Sequence, residues 1–383
     1  MTEGYVHPDF GGVTEVLRRV VAHRRGGGAA VCVYHRGRPV VDAWAGARDA
    51  RGTPWERETV AMSFSTTKGV VATALHCLVD RGLVDYDVPV AAYWPEFAAA
   101  GKEQVTVRQL LSHSAGMHRL RGVIDHAHEM LDWDHVVAAL AAEAPGYEPG
   151  TRHGYHGITF GFLVGEVIRR VTGKTIHQVI QEEIVDPLDL DGMFVGIDPD
   201  DRHRLAELLM GFGGGHRIER IAGGLERVRW LQPAIEAFAV TELDHLLLSD
   251  TVHDSELPAL NGCFTARALA RMYAALANGG ELDGRRIVSP ETLARATEVQ
   301  TRSRDVVVGF PMRWRLGYHL AATSRGVLPR AFGHFGYGGS GAWGDPQRNL
   351  AVAMVCNRVA GTPFGDRRFL AIGAAAVKCA ART

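Results

Sequence analysis

Ser65 and Lys68 stand three residues apart in Met62-Ser63-Phe64-Ser65-Thr66-Thr67-Lys68-Gly69-Val70, and on a helix that spacing puts a hydroxyl and an amine on one face, one turn apart. A serine at a helix start meets the positive end of the helix dipole, which favours a developing alkoxide. A lysine beside it can take the serine proton, because an amine, unlike a guanidinium, can give up its own. Only 4 of the 42 Lys and Arg residues are lysines, so a lysine in this apolar stretch is conspicuous. The plainer reading is an N-cap serine with a solvated lysine. With 10 serines and 4 lysines, chance gives roughly one Ser-x-x-Lys match in ten such chains.

Tyr155, in Arg152-His153-Gly154-Tyr155-His156-Gly157, marks a glycine-flanked helix start. A tyrosine there is more often a half-buried packing residue. Beside a Ser/Lys pair it is a candidate proton shuttle, since a phenol near cations is pushed toward phenolate. Gly336 to Gly341 spells G-x-G-x-x-G, but a turn at 343–346 and a strand-like run at 350–355 follow where a dinucleotide site needs a helix. Clustered glycines at a strand edge instead let a substrate approach backbone N–H groups, as an oxyanion site requires. His113, His118, His126 and His128 raise a metal reading. No Asp-His pair follows His126-Ala127-His128, and 18 histidines make chance clustering the better account, so no metal is expected. Ala342 stands two residues after Ser340, which excludes a Gly-x-Ser-x-Gly elbow there.

Several elements must position these groups. Val70, Val71, Ala74, Leu75, Leu78 and Val79 recur at helical spacing, predicting a buried amphipathic helix that starts at Ser65 and ends near Gly82. A helix over 10–25 is followed by the runs 29–35 and 39–45, joined by Arg36-Gly37-Arg38 as a hairpin. Between 83 and 262 the pattern is mostly helical, with clear helices at 133–143 and 157–171. The stretch 198–258, with a Gly-rich turn at 211–215 and two apolar patches, reads as lid-like or substrate-facing. A helix over 264–277, a tight turn at Asp283-Gly284, strand-like runs at 306–310, 313–319, 331–335 and 350–355, and a helix over 369–380 complete the chain. The expected fold is α+β. An antiparallel sheet flanked by terminal helices forms a discontinuous α/β lobe from 1–60 and 264–383, and a mostly helical lobe over 61–263 carries Ser65, Lys68 and Tyr155.

A net charge of −1 gives no reason to expect nucleic acid as a partner. No apolar run approaches the ~20 residues of a membrane span. The first residues lack the basic and apolar regions of a signal peptide, and five scattered cysteines make neither a disulfide framework nor a metal pattern. A cytoplasmic protein with no cofactor is expected.

Ser65-x-x-Lys68, Tyr155-x-Gly157 and His334-x-Gly336 stand in the order of the serine β-lactamase-like, penicillin-recognising superfamily, and the chain most resembles its family VIII carboxylesterases. Supporting stretches are Val107-Arg-Gln-Leu-Leu-Ser-His-Ser-Ala-Gly-Met117, Asp186-Pro-Leu-Asp-Leu-Asp-Gly-Met193 and the run from Thr265 to Ala277, so the likeness spans most of the chain. The resemblance implies a β-lactamase-like fold with the site between the lobes. It implies Ser65 as acylated nucleophile, Lys68 and Tyr155 sharing the general-base role, and His334, Gly336 and Tyr337 on the substrate side. The N–H groups of Ser65 and Tyr337 would form the oxyanion hole. Gly157 replaces the asparagine of the second motif and His334 the lysine of the third, which removes groups that hold a β-lactam amide and carboxylate. The reading is an esterase acting on a small-molecule acyl ester. β-Lactamase or D-amino-acid peptidase is the alternative, and an acyltransferase is a variant of the same chemistry. On this reading a neutral His334 donates a hydrogen bond to an uncharged ester oxygen and gains its proton toward about pH 6.

Overall fold

Alternation of apolar residues in the first hairpin seeds the main sheet. The computed structural model describes residues 2–22, 27–210, 228–360 and 366–383. β2 (Gly28–His35) and β3 (Arg38–Gly46) form the expected hairpin, and β1 (Thr2–Val6) lines the outer edge of β3. The other edge of β2 pairs along its length with β12 (Leu350–Cys356), from Leu350 opposite His35 to Cys356 opposite Ala29. With β11 (Gly341–Asp345), β10 (Gly326–Phe335) and β9 (His319–Thr323), the seven strands run in the order β1-β3-β2-β12-β11-β10-β9, every neighbour antiparallel.

Successive residues of a strand point to opposite faces, so β2 and β12 feed two cores. On one face Val31, Val33, Val352 and Met354 meet Val13 and Leu17 of α1 (Gly11–Val21) and Phe369, Ile372 and Ala376 of α7 (Arg367–Ala380). These are the expected terminal helices. On the other face Cys32, Tyr34, Ala351 and Ala353 join a larger core with α6 (Ala266–Ala277).

α2 (Thr66–Asp80) is the expected buried helix, and its burial goes all round: every residue from Thr66 to Val79 is buried, leaving no polar face. α4 (Thr159–Thr172) and α3 (Trp133–Ala142) lie in the same core, close to their expected bounds. A small sheet of β4 (Ala61–Met62), β5 (Met193–Phe194) and β6 (Cys263–Phe264), with β6 in the middle, ties the approach to α2 to the approach to α6. The turn at Asp283-Gly284 closes a hairpin of β7 (Glu281–Leu282) and β8 (Arg285–Arg286).

Two expectations fail. Residues 306–310 are a turn, and of 313–319 only His319 enters a strand. At 306–310 the carboxylate of Asp305 accepts the N–H groups of Val307 (2.8 Å) and Val308 (2.9 Å) in place of ladder bonds, and at 313–319 Trp314 N–H goes to Thr301 Oγ1 (3.1 Å) and Arg315 N–H turns back to Tyr318 O (2.8 Å). The Gly-rich stretch at 211–215 lies outside the described residues. Beyond it, α5 (Gln232–Phe238) returns toward Tyr155, and Phe238 packs against that residue's cluster. No helix among the described residues is long and apolar enough to cross a membrane.

Candidate active site

The turn into α2 is strained. Phe64 takes φ 46°, a left-handed conformation that a bulky side chain rarely adopts and that costs about 1–3 kcal/mol. Its ring rests edge-on against Tyr337 at 5.4 Å, and its carbonyl accepts from Thr67 N–H at 2.9 Å and Thr67 Oγ1 at 2.5 Å. The next residue, Ser65, holds the N-cap position of α2, yet its side chain makes no capping hydrogen bond. Its Oγ lies 2.9 Å from Lys68 Nζ instead, which rules out the plain capping reading.

Lys68 is fully buried, and Nζ also donates to Ala259 O at 3.0 Å. Among the described residues no carboxylate pairs with it, and burial pulls its pKa well below the ordinary lysine value. Lys102 makes the contrast. It is buried too, but its ammonium donates to three carbonyls, Ala99 O (2.8 Å), Ala141 O (3.0 Å) and Glu143 O (2.5 Å). Burial lowers the pKa of Lys102 too, but three carbonyl acceptors and nearby Glu143 oppose that, whereas among the described residues Lys68 has one carbonyl, Ala259 O, and no carboxylate to oppose it.

Tyr155 is buried, with Lys68 Nζ 5.1 Å from its ring centroid and Trp314 stacked on it at 5.1 Å. Burial pushes its phenol up, nearby Asp305 adds to that, and a hydrogen bond with Ser65 offsets only part. Burial thus works against the push toward phenolate that nearby cations would give, and it favours the neutral phenol and the neutral amine alike. Asp305, which sequence reasoning missed, fixes this tyrosine twice. Its carboxylate accepts Tyr155 N–H at 3.2 Å and the Trp314 indole N–H at 2.8 Å. The one hint in the sequence is an aspartate abutting three valines.

The four candidate metal histidines divide. His113 is buried; its Nδ1 accepts His156 N–H at 3.1 Å and its ring lies 4.2 Å from that of Trp314. His118 is buried and stacks on Tyr147 at 5.6 Å. Both are packing residues of the core. His126 and His128 stay together at the surface, their rings 5.6 Å apart.

At the end of β10, a Cβ on Gly336 would lie 2.1 Å from Ser63 O and 2.9 Å from Thr66 Oγ1. Glycine is what lets this strand end touch the Ser65 turn and bring Tyr337 to it. His334 is buried, with its ring 6.1 Å from that of Tyr155. Its Nδ1 lies 3.1 Å from Phe335 O, so this nitrogen carries the proton and donates. Nε2 then presents a lone pair, and it is buried with no hydrogen-bond partner among the described residues. Burial, helped by His319 and Lys68, holds its pKa well below the ordinary histidine value. The lone pair on Nε2 makes His334 an acceptor toward a substrate, where a donor was expected, and burial works against the protonation expected toward pH 6.

Gly157 faces Phe238. A Cβ there would lie 2.2 Å from Phe238 Cε1 and 2.4 Å from Cζ, and the same ring sits 6.1 Å from that of Tyr155. An apolar wall from α5 thus fills the space a side chain at 157 would need. Gly157→Asn is expected to displace Phe238 and lower both stability, by about 1–3 kcal/mol, and ester kcat/KM. Gly157→Asn/Phe238→Ala should recover most of the loss. A double-mutant cycle reads this, and no recovery would mean that Phe238 is not the obstruction.

Comparison with known proteins gives a consistent set of likenesses. The family model described as Beta-lactamase matches residues 13–377. Esterase/beta-lactamase LipL of Mycobacterium tuberculosis is 39% identical over 380 residues, covering 93% of this chain and 83% of that protein. A crystal structure of a family VIII carboxylesterase superposes with TM-score 0.89 at 37% identity, covering 99% of this chain and 100% of that one. A penicillin-binding protein homolog from Caulobacter crescentus gives TM-score 0.84 at 34% identity, covering 98% and 100%.

Proposed function

The chain belongs to the Beta-lactamase family, and from that we propose that it is a serine carboxylesterase cleaving small to medium acyl esters through an acyl-Ser65 intermediate. The observation that carries this reading is the buried Lys68 amine, unpaired by any carboxylate among the described residues and 2.9 Å from Ser65 Oγ. A neutral amine at hydrogen-bond distance takes the hydroxyl proton as Oγ attacks the ester carbonyl. The carbonyl oxygen turns toward the backbone N–H groups of Ser65 and Tyr337 at the positive end of α2. The resulting ammonium returns its proton to the leaving alkoxide, with the Tyr155 phenol as relay. Water then attacks the acyl-enzyme by the same route in reverse. No step calls for a cofactor.

Two groups favour esters over β-lactams. The lone pair on His334 Nε2 repels a substrate carboxylate, and the Phe238 wall beside Gly157 offers apolar contact where an amide would need a partner. The test is kcat/KM for p-nitrophenyl butyrate and for nitrocefin across pH 6 to 8. The ratio should favour the ester and change little, because burial disfavours the protonated form of His334, and protonation of Lys68 slows both substrates alike. Nitrocefin turnover equal to that of the ester would replace this reading with β-lactamase, the second activity in the name of the LipL relative. Five free, buried cysteines support a reducing, cytoplasmic setting.

A further inference from the structure

His126 and His128 are the part of the histidine cluster that the buried site leaves unused. His126 has extended backbone (φ −121°, ψ 141°). Thr241 pairs with His126 as a parallel bridge, and Ala127 N–H donates to Thr241 O at 2.9 Å. That pairing brings Glu242 beside the two imidazoles. One ligand atom from each of His126, His128 and Glu242 lies within 4.8 Å of the other two, and all three side chains are exposed.

We propose that His126, His128 and Glu242 form a binding site for a divalent transition-metal ion of the Zn²⁺ class, with the remaining position left to water. Two imidazoles and one carboxylate are a donor set that suits zinc, whereas Ca²⁺ and Mg²⁺ favour oxygen ligands throughout. Small side-chain rotations close 4.8 Å to the spacing of neighbouring ligands. The backbone beneath is already fixed, since Glu129 accepts the N–H groups of His126 (2.7 Å) and Asp125 (3.3 Å).

The ion would act as a staple. Glu242 follows closely on α5, whose Phe238 covers Gly157. Metal at this site ties that turn to 126–128 through side chains as well as backbone. It takes no part in the Ser65–Lys68 chemistry, so the proposal does not rest on the esterase reading.

The test uses the full chain without an affinity histidine tag, stripped with EDTA and titrated with Zn²⁺ by calorimetry and Co²⁺ by visible absorption. One ion per chain should bind in the micromolar range or tighter, and zinc should raise the Tm. His126→Ala/His128→Ala should abolish both effects, and Glu242→Gln should weaken binding by about tenfold or more. Ester turnover in EDTA should persist. Absence of binding by the wild type, or unchanged affinity in the double histidine variant, would overturn the site. Turnover lost in EDTA and restored by zinc would overturn the staple role.

Discussion

Ser65→Ala is expected to reduce ester turnover by about 10⁴-fold or more, the scale seen when an acyl-transfer nucleophile is removed. The fold should survive. Ser65 Oγ makes no capping bond, so even the ~1 kcal/mol usual for a lost N-cap serine is not at stake. The paired measurements are kcat for p-nitrophenyl butyrate and thermal unfolding of both proteins. A variant that folds normally and keeps even a tenth of wild-type turnover would exclude Ser65 as nucleophile. Intact-mass detection of a fluorophosphonate adduct on wild type and not on the variant gives the same answer without a substrate.

Lys68→Arg should cost about 10² to 10⁴ in kcat, the usual worth of a general base, because a guanidinium keeps its proton at working pH. It also forces a permanent charge into a fully buried position that has no carboxylate partner among the described residues, so a folding defect could imitate lost catalysis. Lys68→Met separates the two. It has similar length and no charge, should be equally slow, and should be at least as stable as wild type. The sign follows from the depressed pKa. In the unfolded chain the amine binds a proton readily at neutral pH, in the folded site it binds one poorly, and methionine removes that penalty. Near-normal rates in either variant would leave Lys68 a structural role only.

The Ser65–Lys68 pair was legible because both partners sit on one helical turn, where sequence spacing is spatial spacing. The scarcity of lysine was a weaker guide than it looked. Lys102 is as rare and as buried, and three carbonyls make it a structural cation. Helices with clear periodicity fell close to their expected bounds, whereas the valines after Asp305 imitated a strand because periodicity does not register a carboxylate that takes over backbone N–H groups. The shifts expected at Tyr155 and His334 reverse for one reason: near neighbours in sequence suggested cations and solvent, while burial favours the neutral form of both. Asp305, Ala259 and Phe238 reach the site from distant segments, and apart from the aspartate abutting three valines nothing local in the sequence marks such contacts.

The pairing of β2 with β12 also sets a clock on synthesis. Gly28 N–H donates to the side chain of Asn357, 329 residues further along the chain. At ordinary translation rates that interval is about 15 to 65 s. Throughout it β2, almost wholly buried in the finished protein, has neither its partner strand nor the closing helix to cover it. An unpaired apolar strand edge is a template for wrong pairing, so chaperone cover during this interval follows from the strand order itself. The same order delays chemistry. Gly336 and Tyr337 leave the ribosome almost as late as β12, so on the proposed roles a nascent chain already displaying Ser65 and Lys68 would stay inert until the molecule is nearly complete.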